Sequence, residues 1–251
     1  NPTAEQKKVL SQHFGAVRFV YNGGVEIQRK TWKDEGRVIG WQELSNRLTA
    51  FKKDGNKDWL KNPARCFFTE ALQNLNSACQ GFFNGKGFPQ FKTKTEKQAL
   101  TFPQDSRREP RVDFTSQCIA IPKVGQVKCT ISRHFKGVLK RITISKTPTG
   151  KYFASCLVEV DINPATKSEP IESDAIGIDL GIKHFATLST GETIDNPRFL
   201  NKSLKALRRA SRKHSKKKKG SKNREKSRIK LARLHEKVAN QRLDFLHKTS
   251  T

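Results

Sequence analysis

Apolar side chains recur every three or four residues over roughly the first third of the chain, alternate in twos through the middle, and return to helical spacing after Asn196. Thr3 with Gln6 fits a capping box, and Val9, His13 or Phe14, Val17 and Val20 or Tyr21 mark one helical face. Gly23-Gly24 weakens this helix near its end. A second helix is expected from about Trp41 to Lys53, stopped by Asp54-Gly55. A third starts at Asn62-Pro63 and places Phe68, Leu72, Leu75, Cys79 and Phe82 on one stripe, the pattern of a core-facing helix.

From Gly85 the chain turns to glycine, proline and short alternating runs. Strands are expected near Leu100–Phe102, Arg111–Phe114, Cys118–Ile121 and Gln126–Ile131. A hairpin joins Lys140–Ile144 to Tyr152–Val160 across Thr147-Pro148-Thr149-Gly150. On its second strand Tyr152, Ala154, Cys156, Val158 and Val160 alternate with Phe153, Ser155, Leu157 and Glu159. Such strands make a small antiparallel barrel or sandwich. Asp161 to Ser173, with Pro164 and Pro170, reads as a linker.

The stretch Ala175 to Thr190 puts one carboxylate, Asp179, inside an apolar strand. Ile176, Ile178 and Leu180 alternate with Gly177, Asp179 and Gly181, so Asp179 projects from a glycine-lined face with room for a ligand. A charge there is expected to face a cation or a cleft. Strands at His184–Leu188 and around Thr193-Ile194 complete a β-meander. Three readings fit it: a satisfied core Asp, the phosphate-binding first hairpin of actin-like ATPases, or the first catalytic strand of an RNase H-like nuclease.

Asn196-Pro197 is a helix-start signal, followed by Leu200, Leu204 and Leu207 at helical spacing. A second pattern places Leu231, Leu234, Val238 and Phe245 on one face, with Arg228, Lys230, Arg233, Lys237 and Arg242 around the rest. Between Lys202 and Lys230 stand fifteen Lys or Arg residues and a single acid, Glu225. Gly220-Ser221 interrupts the run as a hinge. Together these segments read as a basic helical hairpin laid along a polyanion.

Composition agrees. The 251 residues carry 50 Lys plus Arg against 23 acids, a formal charge of +27 that points to a nucleic-acid partner. The length suggests two domains. Five cysteines without a C-x-x-C pair read as reduced core residues and not as a disulfide framework or zinc ligands. No apolar run suits a membrane span, no signal peptide is visible, and the chain opens at Asn1 without Met. A cytoplasmic, nucleoid-associated location is expected.

Gly177 to Leu188, Asn196-Pro197-Arg198-Phe199-Leu200, Ser215 to Lys222, Lys230 to His235 and Asn240 to Lys248 closely resemble the TnpB family, as does Gly87-Phe88-Pro89-Gln90-Phe91-Lys92. The resemblance runs in order through nearly the whole chain. It implies an RNA-guided DNA endonuclease of a transposable element, related to type V CRISPR effectors. The implied α+β multidomain fold has a helical recognition lobe over residues 1–85 and an antiparallel β-barrel wedge domain over 86–168. The N-terminal part of an RNase H-like (RuvC) domain with its basic hairpin follows over 169–251.

The resemblance assigns Asp179 to catalysis and Mg2+ coordination. It makes Lys202, Lys205, Arg208, Arg209, Arg212, Lys213, Lys216, Lys217, Lys218, Lys219, Lys222 and Arg224 candidates for nucleic-acid contact. Implied partners are a guide RNA from the transposon end and double-stranded target DNA, with one protein per RNA and no membrane. A two-metal site needs several carboxylates. The family's further Glu and Asp, and the four-cysteine zinc element between them, have no match here, and its opening strand is also missing. Glu192, Asp195 and Asp244 read as solvated turn or helix carboxylates. The expectation is therefore a chain that binds RNA but is catalytically incomplete, with zinc only in a missing C-terminal part. The alternative is a nuclease-inactive guided repressor or transposition accessory.

Overall fold

A computed structural model describes residues 1–53, 57–95, 97–104, 111–161 and 175–250. Two compact units emerge, Asn1–Asp161 and Ile162–Thr251. The expected stop at Asp54-Gly55 and nearly all of the expected linker lie outside the described residues.

In the first unit, α1 (Ala4–Glu35) begins at a capping box in which the Thr3 hydroxyl accepts from Gln6 N and the Gln6 side chain accepts from Thr3 N. It runs unbroken through Gly23-Gly24. It continues to Glu35 and ends at Gly36, whose φ of 64° is the left-handed cap. The reason is tertiary: a Cβ on Gly24 would stand 2.6 Å from Leu75 Cδ2, so the missing side chain lets the helix that carries Leu75 approach.

The second helix, α2 (Trp41–Lys53), has the expected bounds. A short 3-10 turn, Asp58–Leu60, precedes α3 (Arg65–Phe83), which is capped at Ala64 and not at Asn62-Pro63. Phe68, Leu72, Leu75 and Cys79 of its predicted stripe are buried, whereas Phe82 is only half-buried.

Among the described residues six strands follow: β1 (Gln98–Pro103), β2 (Val112–Asp113), β3 (Cys118–Ile121), β4 (Gly125–Lys128), β5 (Val138–Lys146) and β6 (Tyr152–Glu159). They do not close into the expected barrel. They form two antiparallel three-stranded sheets, ordered β1-β5-β6 and β2-β3-β4. Phe102 and Ile142 of the first sheet, Ile119 and Val127 of the second, and Phe67 of α3 share one hydrophobic core. Helix burial thus replaces barrel closure. The β5–β6 turn is as expected, with Gly150 at φ 88° donating to Thr147 O.

Where α3 meets β5, Arg141 lies 3.4 Å from the buried carboxylate of Glu70. The alternation read along β6 is only half realised: Tyr152, Cys156 and Val158 are half-buried, while Phe153 and Leu157 remain exposed.

In the second unit a meander of β7 (Ile178–Leu180), β8 (His184–Leu188) and β9 (Thr193–Asp195) leads into α4 (Phe199–Ser215) and α5 (Lys222–Thr249). All five cysteines are free. Among the described residues no helix is long and apolar enough to cross a membrane.

Candidate nuclease strand and nucleic-acid interface

Asp179 sits at the centre of β7, paired in register with Thr187, which is paired in turn with Thr193. The pleat sets these three on one face, and all three are exposed. On the other face Ile178, Leu180, Leu188, Ala186 and Ile194 form an apolar set with Ala186 buried at its centre. The alternation read from the sequence is therefore present, but Ile178 and Leu180 remain 63% and 69% exposed.

Turn geometry accounts for one of the two glycines. A Cβ on Gly181 would stand 3.1 Å from the His184 carbonyl, so Gly181 serves the tight β7–β8 turn. Gly177 exchanges hydrogen bonds with Ser189, donating to its hydroxyl and accepting from its N–H. A Cβ there would meet Ser189 at 3.5 Å, an ordinary contact. Hairpin geometry, not ligand space, accounts for Gly181.

Asn196 does not cap α4. Its Oδ1 accepts from Arg198 N, its Nδ2 donates to Ile182 O, and Arg198 itself takes the cap position at φ 47°. Asn196 thereby braces the β7–β8 turn against the start of the basic hairpin. A second link escaped the sequence reading: Phe245 of α5 meets Phe185 of β8 at 5.1 Å and Phe199 of α4 at 6.1 Å, both edge-on. Phe185 and Phe199 lie in the segments that carried the resemblance, which was the available signal.

The two helices pack along Leu207 and Val238, both buried. On α4 and at its C-cap Lys216, the cations Lys202, Lys205, Arg208, Arg209, Arg212, Lys213 and Lys216 are exposed at spacings that gather them on the side away from Leu207. The turn carries Lys218 and Lys219, also exposed, and half-buried Lys217. Gly220 bends the chain at φ 81°, and the Ser221 hydroxyl caps α5 by accepting from Arg224 N.

Arg224 differs from the other predicted contacts. It is half-buried and donates from Nη1 to Lys217 O at 2.6 Å and His214 O at 3.4 Å, stapling the turn. Lys222 begins a further exposed file on α5 that runs through Lys226, Lys230, Arg233 and Lys237 at helical spacing. Lys226 was not among the residues singled out from sequence. The single acid of the run, Glu225, holds Arg228 through two bonds of 2.9 and 2.6 Å.

Among the described residues no group of three His, Cys, Asp or Glu side chains is placed to hold a metal ion. Asp195 faces His184 Nδ1 at 3.2 Å with its side chain 92% exposed, and Asp244 pairs with Lys248 at 2.9 Å. Both carboxylates are exposed. The arrangement offers one hard oxygen donor on an open strand, next in the chain to two files of cations.

Comparison with known proteins bears on both ends of the chain. Residues 155–251 match the OrfB_IS605 family model, described as "Probable transposase", and residues 1–37 match a helix-turn-helix domain model of the same proteins. In this chain residues 4–35 are one uninterrupted helix. A Streptomyces pristinaespiralis protein named "Putative RNA-guided DNA endonuclease" is 35% identical over the whole chain and is covered to 61% of its own length. The Escherichia coli K12 protein InsQ, of the same description, is 30% identical and covered to 60%. A Mycobacterium tuberculosis relative, also so described, is 25% identical and covered to 61%. The chain spans about three-fifths of the length of the curated relatives it matches.

Proposed function

Because the chain belongs to the TnpB family of IS605 OrfB proteins, we propose that the complete protein is an RNA-guided DNA endonuclease of a transposable element. In this reading Asp179 supplies an oxygen ligand to a catalytic Mg2+ ion, and the α4–α5 hairpin lies along nucleic-acid phosphates. The single observation that carries it is the exposed carboxylate at the centre of β7, in a meander that runs straight into two exposed files of Lys and Arg. The names of the relatives support the same class of activity. Residues 1–85 act as the recognition lobe, 86–168 as the wedge domain that holds structured RNA, and 169–251 as the first part of the nuclease domain.

What these residues do follows from their charge. Each Lys or Arg placed against a phosphate releases a condensed counterion, which drives association and makes it steeply salt-dependent. Contacts of this kind set register and orientation without reading sequence, which suits a protein whose target is chosen by base pairing. A lone exposed carboxylate is one ligand of a two-metal site, and the described residues do not complete that site. The alternative is a guided DNA-binding protein that does not cut, which the cleavage test below distinguishes.

Purifying the chain through high salt and sequencing the retained nucleic acid tests the first half of the proposal. One discrete structured RNA ending in a variable guide segment is the expected result; heterogeneous fragments would reduce the +27 to generic electrostatics. Guided, Mg2+-dependent cleavage by the full-length protein, abolished in Asp179→Ala with RNA retention unchanged, separates nuclease from repressor.

A further inference from the structure

An apolar cavity of about 600 Å3 opens in the first unit between α1, α2 and the segment Gly87–Lys92. Nothing in the proposed chemistry uses it. Its walls include Phe19, Phe51 and Phe91, which stay 43%, 40% and 43% exposed. Trp59, 46% exposed, sets its ring edge-on to Phe19 at 5.1 Å, and Phe51 lies 6.1 Å from Phe19. Core packing does not require these rings: Val20, Leu44 and Leu72 already fill the buried side.

The cavity is built and not incidental. Asn22 fastens the Gly87–Lys92 strap by donating to Lys92 O at 3.0 Å and accepting from Lys92 N at 2.8 Å. Arg29 donates to the Gln90 side chain at 3.1 Å and lies 4.6 Å from the Phe91 ring centre, which fixes that wall. On the opposite wall Gly24 is packed against Leu75, whereas a Cβ on Gly23 would meet nothing within 4 Å. The absent side chain of Gly23 therefore keeps space open.

Cations stand beside the rings. Lys57 Nζ lies 3.5 Å from the Phe51 ring centre, and Lys52 follows Phe51 directly on α2. Arg47 lines the cavity while paired to Glu43 at 2.7 Å, and Glu26 is the one acid among the described lining residues. Flat apolar faces interleaved with cations match a ligand that is itself flat and apolar but carried on an anionic backbone. A hydrophobic peptide would satisfy the rings and bring no charge to the lysines, and a duplex keeps its base faces stacked away.

We infer that this cavity receives an unstacked base of single-stranded nucleic acid. The inference rests on the reading of the chain as a nucleic-acid binder and adds a site within it. Stacking against Phe19 and Phe51 holds the base with little dependence on its identity, and the neighbouring Lys residues hold its phosphates.

The test uses the 251-residue chain and a ten-nucleotide single-stranded RNA with 2-aminopurine at its centre, beside a duplex of the same length. Gly23→Leu fills the cavity from an open position and does not lower the melting temperature; Phe51→Ala removes one wall. Each is expected to weaken single-strand binding by about 10-fold, the scale of one base–aromatic stack. Because every cation that faces a phosphate is kept, the slope of affinity against salt and the duplex affinity stay unchanged.

Unchanged single-strand affinity in both variants overturns the inference, as does a parallel fall in single-strand and duplex binding. A photoreactive benzoylphenylalanine at position 51 that captures a second copy of the chain instead of the RNA overturns it too. A wild-type chain that binds neither RNA at low salt removes the proposed function as well, whereas intact duplex binding leaves that function standing and confines the failure to the cavity.

Discussion

Two adjacent glycines in α1 should respond to the same substitution with opposite signs. Replacing a helical glycine by alanine stabilises a helix interior by roughly 0.5–1 kcal/mol, because glycine loses more backbone freedom on folding. At Gly23 that gain stands alone, since a Cβ meets nothing within 4 Å. At Gly24 the new methyl would lie 2.6 Å from Leu75 Cδ2 and 3.4 Å from Leu72 Cδ2, in side chains that are buried. Overpacking of this kind costs about 1–3 kcal/mol. The propensity gain is common to both variants, so their difference, about 1–3 kcal/mol, isolates the packing. Urea unfolding followed by tryptophan fluorescence reads it cleanly: Trp32, Trp41 and Trp59 all lie in the first unit and report its melting alone. Gly23→Ala should shift the midpoint up and Gly24→Ala down. Superimposable curves, or a Gly24→Ala variant as stable as Gly23→Ala, would refute the view that Gly24 exists to let α3 approach.

His13 is buried against Phe67 at 5.5 Å with no partner for Nδ1, and burial holds its pKa below the usual 6.5. The folded state thus resists protonation that the unfolded chain accepts; stability should fall as pH drops below about 6.5, and a His13→Leu variant, followed by the same fluorescence signal, should remove that part of the slope. Replacing Lys202, Lys205 and Arg209 together by Ala should reduce the magnitude of the salt slope of duplex binding by up to about 0.9 for each phosphate deprived of its cation; an unchanged slope would place the interface elsewhere. Arg224→Ala should melt the α4–α5 turn by about 1–2 kcal/mol through the removal of two bonds to carbonyls, read as reduced helicity by circular dichroism, with a smaller effect on the slope than the triple variant. In the full-length protein Asp179→Ala should abolish cleavage while RNA retention stays normal, and cutting at the normal rate would exclude Asp179 from the metal site.

The sequence by itself determined what depends on near neighbours. The Thr3–Gln6 capping box, the extent of α2, the Thr147–Gly150 turn and the strand–turn rhythm from Ile178 to Asp195 are set by interactions a few residues apart, and each is written in the spacing of side chains. The basic hairpin was equally legible, because a run of Lys and Arg phased against Leu204, Leu207, Leu231 and Val238 has one way to bury its apolar stripe. Asp179 was visible as a charge among Ile and Leu.

Only the tertiary structure decided the rest, since the partners are distant in the chain. Gly23-Gly24 looks like a helix breaker until Leu75 arrives beside it. The six strands alternate well enough for a barrel, yet residues of both sheets share one core with α1 and α3, so two separate sheets suffice. Arg224 is indistinguishable in sequence from Lys222 or Lys226, and becomes a staple because the turn brings two carbonyls to its guanidinium. Phe19 lies off the buried stripe of α1, whereas Phe51 stands two turns beyond Leu44 on the same face of α2. The cavity they wall exists only once α1, α2 and the Gly87–Lys92 strap are packed together.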